Sequence, residues 1–144
     1  MAVTQFSITM DNVPGSLADI SNRLGYAGIN IRGISLIKSS KKKSLLHLVV
    51  NDPVGAERIF REGAIEYEEG RVLAIELPNV PGALSECAKA MGDGKVNIEY
   101  LFPFISRTPN AIVILMTDNI DRTEEILEQT NIRMLTEEEL YRLS

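Results

Sequence analysis

The chain has 144 residues, 44% hydrophobic and 24% charged, with 15 basic against 20 acidic side chains and a net charge of −5. That is an ordinary globular composition, and its acidic balance argues against a nucleic-acid partner, whose affinity comes from basic residues on phosphates. No run of about 18 apolar residues could span a bilayer, and residues 1–10 lack the basic start and apolar core of a signal peptide, so a cytoplasmic protein without membrane partners is expected.

Sliding the sequence against itself gives a match at an offset of 67 with no gap. Asn12-Val13-Pro14-Gly15 falls on Asn79-Val80-Pro81-Gly82, Leu17 on Leu84, Gly25 on Gly92, and Asn30-Ile31 on Asn97-Ile98. Ile8, Leu48, Glu57, Ile59 and Ile65 also meet themselves, making thirteen identities. Typical residue usage of about 6% per type would give roughly four. The chain therefore reads as two copies of one unit, domain 1 over 1–69 and domain 2 over 70–144.

Each copy begins with a strand rich in β-formers, 3–10 or 72–77, followed by the Asn-Val-Pro-Gly turn. Leu17, Ile20 and Leu24, then Leu84, Cys87, Ala88 and Met91, make the apolar stripe of a helix that ends at Gly25 or Gly92. A second strand (29–38 or 96–105), a polar loop (39–43 or 106–110) and a third strand (45–50 or 111–117) follow. A second helix covers 54–62 or 121–129, and a last strand near 64–68 or 132–135 closes the unit. The order βαββαβ, twice, predicts an α+β protein. Its two ferredoxin-like units each hold an antiparallel four-stranded sheet with both helices on one face. Small cores and bare sheet faces further predict a homodimer or pseudo-dimer.

The strand-to-helix loop is where chemistry concentrates. Pro14 and Pro81 pre-set φ at a helix start whose first amides have no intrahelical partner. Gly15 and Gly82 leave the backbone open to a ligand, and free N–H groups with the helix dipole suit a carboxylate. Asn12 and Asn79 can donate and accept. An amino acid, with carboxylate and ammonium close together, fits this set. The same residues also make a plain helix start, in which Asn caps, Pro initiates and Gly relieves the turn.

A strand, Asn-x-Pro-Gly-x-Leu opening a helix, then Gly and later Ile-Asn-Ile or Val-Asn-Ile, resembles the ACT domain, and does so twice over nearly the whole chain. The resemblance implies a stand-alone regulatory module that binds a small effector, usually an amino acid, and reports to an enzyme of amino-acid metabolism. No cofactor and no metal are implied. In that family the loop and the start of the second strand line the effector site. The expected site residues are thus Asp11, Asn12, Val13, Gly15, Asn30 and Ile31, with Asn79, Val80, Gly82, Asn97 and Ile98. Asn30 and Asn97 are expected at the end of the sheet that the loop occupies. Asp11, replaced by Pro78 in the second copy, could meet a ligand ammonium. Tyr100, Phe102 and Phe104 form an aromatic stripe that reads as core or interface, or else as a pocket for an apolar amino acid.

Other signals carry little. Cys87 reads as a buried small hydrophobe, His47 as a packed or surface histidine, and Lys41-Lys42-Lys43 as a solvated turn. The tail 136–141 reads as a capped terminal helix. Neither copy shows a nucleophile with its base, a metal cluster or a phosphate loop, so an enzyme is not expected. The alternative to a sensor is a structural dimerisation or enzyme-partner module with degenerate sites.

Overall fold

In the computed structural model, residues 1–143 are described; Ser144, the last residue of the expected second domain, lies outside them. The chain divides into a first unit, Thr4–Gly70, and a second made of Met1–Val3 with Arg71 onward. No helix among the described residues is long and apolar enough to cross a membrane.

The first unit opens with β1 (Val3–Asp11), in which Phe6, Ile8 and Met10 alternate inward as a half-buried strand requires. Helix α1 (Ser16–Tyr26) buries Ile20 and Leu24 on the predicted stripe. Then come β2 (Ile31–Lys38), β3 (Lys43–Val50) and α2 (Pro53–Glu62). Asp52 caps α2, its carboxylate accepting from the Gly55 N–H at 3.0 Å, with Pro53 in the first turn. The sheet order is β1-β3-β2, both pairings antiparallel. One core joins Phe6, Ile8, Leu24, Leu46, Leu48 and Phe60, with Leu17, Ile65 and Tyr67 packed against it.

The second unit contains β4 (Glu68–Leu77) from Arg71 onward, α3 (Ala83–Asp93), β5 (Ile98–Phe104), β6 (Ala111–Thr117), α4 (Ile120–Glu128), β7 (Arg133–Leu135) and α5 (Glu137–Arg142). Its strands run β5-β6-β4-β7, antiparallel throughout. Leu73, Ile75, Cys87, Met91, Leu115 and Leu127 lie in its core. Burial raises the Cys87 thiol above its ordinary range, as a packed apolar sulfur requires. Phe102 and Phe104 are buried, and Tyr100 stacks on Phe102 with ring centres 6.2 Å apart. The tail forms α5, closed by a capping box in which Thr136 Oγ1 accepts from the Glu139 N–H and Glu139 Oε1 from the Thr136 N–H, each at 3.1 Å.

The expectation of two separate open four-stranded sheets is overturned. β4 begins at Glu68, inside the first unit, and pairs with β1 as well as with β6 and β7, while residues 65–67 form no strand where 64–68 was expected to. Ala64 turns with φ of 53°, and the Ile65 N–H donates to the Phe60 carbonyl at 2.8 Å. Ile65 and Tyr67 then face the core without a ladder. The matching stretch of the second copy does form a strand, with Glu76 opposite Arg133 and their charges 3.0 Å apart. At the equivalent rung the first copy has Thr9 and Glu66, so that opposite-charge pair is missing. Residues 68–70, at the expected boundary between domains, are themselves part of β4.

On the face of the first sheet away from its helices, Ser7 and His47 are cross-strand partners. Ser7 Oγ lies 2.9 Å and Gln5 Nε2 3.3 Å from His47 Nδ1. Burial lowers the His47 pKa below its ordinary 6.5. The unfolded chain then binds the proton more readily than the folded one, so stability falls as pH drops through and below about 6.5. Urea midpoints at pH 7.5 and 5.5 are expected to differ more in the wild type than in His47→Gln. Equal pH dependence in the two proteins would contradict this.

Candidate functional site

At the C-terminal end of β1 the chain turns through Asn12-Val13-Pro14-Gly15 into α1. Gly15 takes φ of 91°, a left-handed conformation costly for any residue with a Cβ, and nothing lies within 4 Å of where a Cβ would stand. It occupies the N-cap position of α1 with no side-chain cap. The helix-start reading with Asn as the cap therefore fails. The first i→i−4 bond of the turn runs from the Asp19 N–H to the Gly15 carbonyl at 3.1 Å, and the N–H groups of Leu17 and Ala18 precede it.

Asn12 is tied instead to the β2–β3 hairpin. Its N–H donates to the Lys42 carbonyl at 2.9 Å, and its Oδ1 accepts from Ser44 Oγ at 3.3 Å. The hairpin thus brings Lys43 to 2.7 Å from Asp11 Oδ1. The Lys43 ammonium holds the Asp11 carboxyl below its usual range, by hydrogen bond first and by charge second. Both groups are exposed, so the pair does little for stability and remains available for exchange with a charged ligand. Between loop, helix start and hairpin lies a cavity of about 160 Å³, lined among others by Asp11, Asn12, Gly15, Leu17, Leu36 and Ser44. Val13, 59% exposed, lies at its edge.

Asn30 and Ile31 are elsewhere. Asp11 pairs with Lys43 at the start of β3, whereas Ile31 pairs with Val50 at its end. Those seven residues of strand place them roughly 23 Å apart. Asn30 instead exchanges bonds with Asn51, whose Oδ1 accepts from its N–H at 2.9 Å. The expectation that Asn30 lies at the loop's end of the sheet is corrected, and the same holds in the second unit. There the loop follows Leu77, paired with Ala111, while Ile98 pairs with Thr117, and the Asn97 N–H donates to Asp118 Oδ1 at 3.0 Å. Neither Asn30 with Ile31 nor Asn97 with Ile98 can share a ligand with the loop of its own copy.

Asn79, Val80 and Gly82 repeat the loop geometry, with Gly82 at φ of 88° and the Glu86 N–H donating to its carbonyl at 3.3 Å. The surroundings differ. Asp11 is matched by Pro78, Lys43 by Asn110, Ser44 by Ala111 and Leu36 by Pro103. Asn110 turns to Glu76, donating to Oε1 at 3.0 Å. The second loop therefore has the exposed amides and lacks the charged rim. Lys43, Leu36 and Ser44 escaped the sequence reading because their contribution depends on the hairpin folding back over the loop.

Among solved structures, the protein BT0572 from Bacteroides thetaiotaomicron is 27% identical, with 99% of this chain and 98% of that one covered and a TM-score of 0.90. The ligand-free regulatory subunit of aspartate kinase from Thermus thermophilus is 13% identical over 89% of this chain and 91% of that one, with a TM-score of 0.61. Its counterpart from Thermus flavus is 15% identical, covers 88% and 90%, and has a TM-score of 0.60. These two show likeness of fold. No curated protein sequence matches the chain. The family described as ACT domain pair matches residues 1–144, and the chain belongs to that family of regulatory modules.

Proposed function

We propose that the protein is an amino-acid sensor whose first strand-to-helix loop holds a small zwitterion. The observation that carries this reading is the cavity of about 160 Å³ beside Gly15, with free helix amides on one side and the Asp11–Lys43 pair at its rim. The ligand carboxylate meets the Leu17 and Ala18 N–H groups and Lys43, at the positive end of the helix dipole. Its ammonium meets Asp11. A cavity of that volume fits a small amino acid such as glycine, alanine or serine better than an aromatic one.

The second loop, without an acidic and basic pair, is the better case for a degenerate site. An enzyme of amino-acid metabolism as the regulated partner, and a homodimer as the working form, belong to the same reading. The fold shared with regulatory subunits of aspartate kinase agrees with it.

A thermal-shift screen of the twenty amino acids tests the reading. A ligand at a hundredfold its Kd stabilises by about 2.7 kcal/mol, a readily measured rise in melting temperature. Small zwitterions are expected to give the largest rise. No rise with any amino acid at millimolar concentration, or the largest with phenylalanine or tyrosine, would overturn it.

A further inference from the structure

The end of the sheet nearest the hairpin is finished differently in the two units. In the second, α5 follows directly on β7 and ends at the β5–β6 hairpin, where the Arg107 N–H donates to the Leu143 carbonyl at 2.7 Å. Ile75 and Leu77 face the core under α3 and α4, so by alternation Ala74 and Glu76 point to the other face of β4. Arg133 binds both Glu76 and Glu139 and so places α5 on that other face, with Leu140 wholly buried.

In the first unit no helix stands there, because the chain runs from Glu68 directly into β4. A hollow of about 620 Å³ takes its place, lined among others by Ser7, Thr9, Leu45, Ile65, Glu66 and Glu68. Adding 67 turns these into Ala74, Glu76, Ile112, Ile132, Arg133 and Leu135, and the rung of Thr9 on Leu45 matches that of Glu76 on Ile112. Ala74, Ile112, Ile132 and Leu135 are buried, whereas Ser7, Leu45 and Ile65 are half-buried and Glu68 is exposed. None of these first-unit residues lines the cavity beside Gly15.

We propose that this hollow docks a short amphipathic helix of another protein, carrying a leucine beside lysine or arginine, in the place that α5 fills in the second unit. No strand edge is used, since β1 is paired with both β3 and β4. Leu45 and Ile65 give the floor an apolar surface for the leucine, as a helix seated in a groove requires. Charge selects the occupant. In the second unit the basic Arg133 receives an acidic helix through Glu139, the neighbour of Leu140. At the matching places the first unit has Glu66 and Glu68, so the sign of the wall is reversed. The α5 of a second copy would set Glu137, Glu138 and Glu139 against these two carboxylates, and like charges brought together in an interface reject a partner. A basic helix meets them with opposite charge.

Fluorescence anisotropy on the full chain tests this with two helix-constrained peptides spanning residues 135–143. One keeps the native sequence, and the other combines Glu137→Lys, Glu138→Lys and Glu139→Lys. The basic peptide is expected to bind at least tenfold more tightly than the native one, and at least tenfold more tightly than a scrambled peptide of its own composition. Thr9→Trp fills the hollow from an exposed strand position and is expected to weaken that binding at least tenfold. In the doubly substituted Glu66→Lys, Glu68→Lys protein the preference is expected to reverse towards the native peptide. Circular dichroism checks the fold of both variants, and either one alone decides. No binding of the basic peptide, equal binding of the scrambled one, or binding unchanged by Thr9→Trp would overturn the proposal. Tighter binding of the native peptide to the unsubstituted protein would make the α5 of a second copy the occupant and overturn it equally.

Discussion

Gly15→Val is expected to abolish the rise in melting temperature that a small amino acid produces, while lowering the stability of the free protein by only about 1–2 kcal/mol. The stability cost comes from the backbone: φ at Gly15 is 91°, where a β-branched residue is strained. No packing cost adds to it, since nothing stands within 4 Å of the new Cβ. That same empty space beside the Leu17 and Ala18 amides is where the carboxylate is proposed to sit. Gly82→Val carries the same strain, at φ of 88°, but sits in the loop without a charged rim. It is expected to lose similar stability and keep the ligand response. Loss of the response in Gly82→Val and its retention in Gly15→Val would exchange the roles of the two loops.

Phe60→Ala is expected to lower the unfolding free energy by about 3–5 kcal/mol, a large share of what a domain of this size holds. Phe60 is wholly buried, with Phe6 edge-on at 5.3 Å and Tyr67 at the same ring separation. Tyr67 and Phe6 also meet edge-on at 5.6 Å, so removing Phe60 opens a cavity bordered by two rings that still hold each other. Because Tyr67 belongs to the stretch that packs without a ladder, the loss is expected to loosen residues 65–67 first. The shift in urea midpoint measures the total. A change below about 1.5 kcal/mol would mean that the site collapses and that the three rings are not its main support.

The repeat made most of the architecture legible. Leu17, Ile20 and Leu24 fall on a buried or half-buried face because helical spacing leaves them no other choice, and Cys87 is buried because it replaces Ile20 on that stripe. The first-copy strand expected at 64–68 begins only at Glu68, because alternation of Ile65 and Tyr67 shows which side chains face inward and says nothing about a hydrogen-bonded neighbour. That depends on the rung opposite, where Thr9 and Glu66 stand in place of Glu76 and Arg133. Asn30 and Asn97 were misplaced for a different reason. A strand–helix–strand crossover makes β2 parallel to β1, so the start of β2 lies at the far end from the loop, a consequence of the βαββαβ order that identity of motif alone obscures. Lys43 was read as part of a solvated turn, and its place beside Asp11 follows only from the register of β1 on β3.

One occupied loop per chain is the central claim, and isothermal titration of the wild type with glycine, alanine and serine tests it most directly. It predicts one small amino acid bound per chain, with binding lost in Gly15→Val and kept in Gly82→Val. Two equal sites per chain, or binding that survives Gly15→Val, would contradict it.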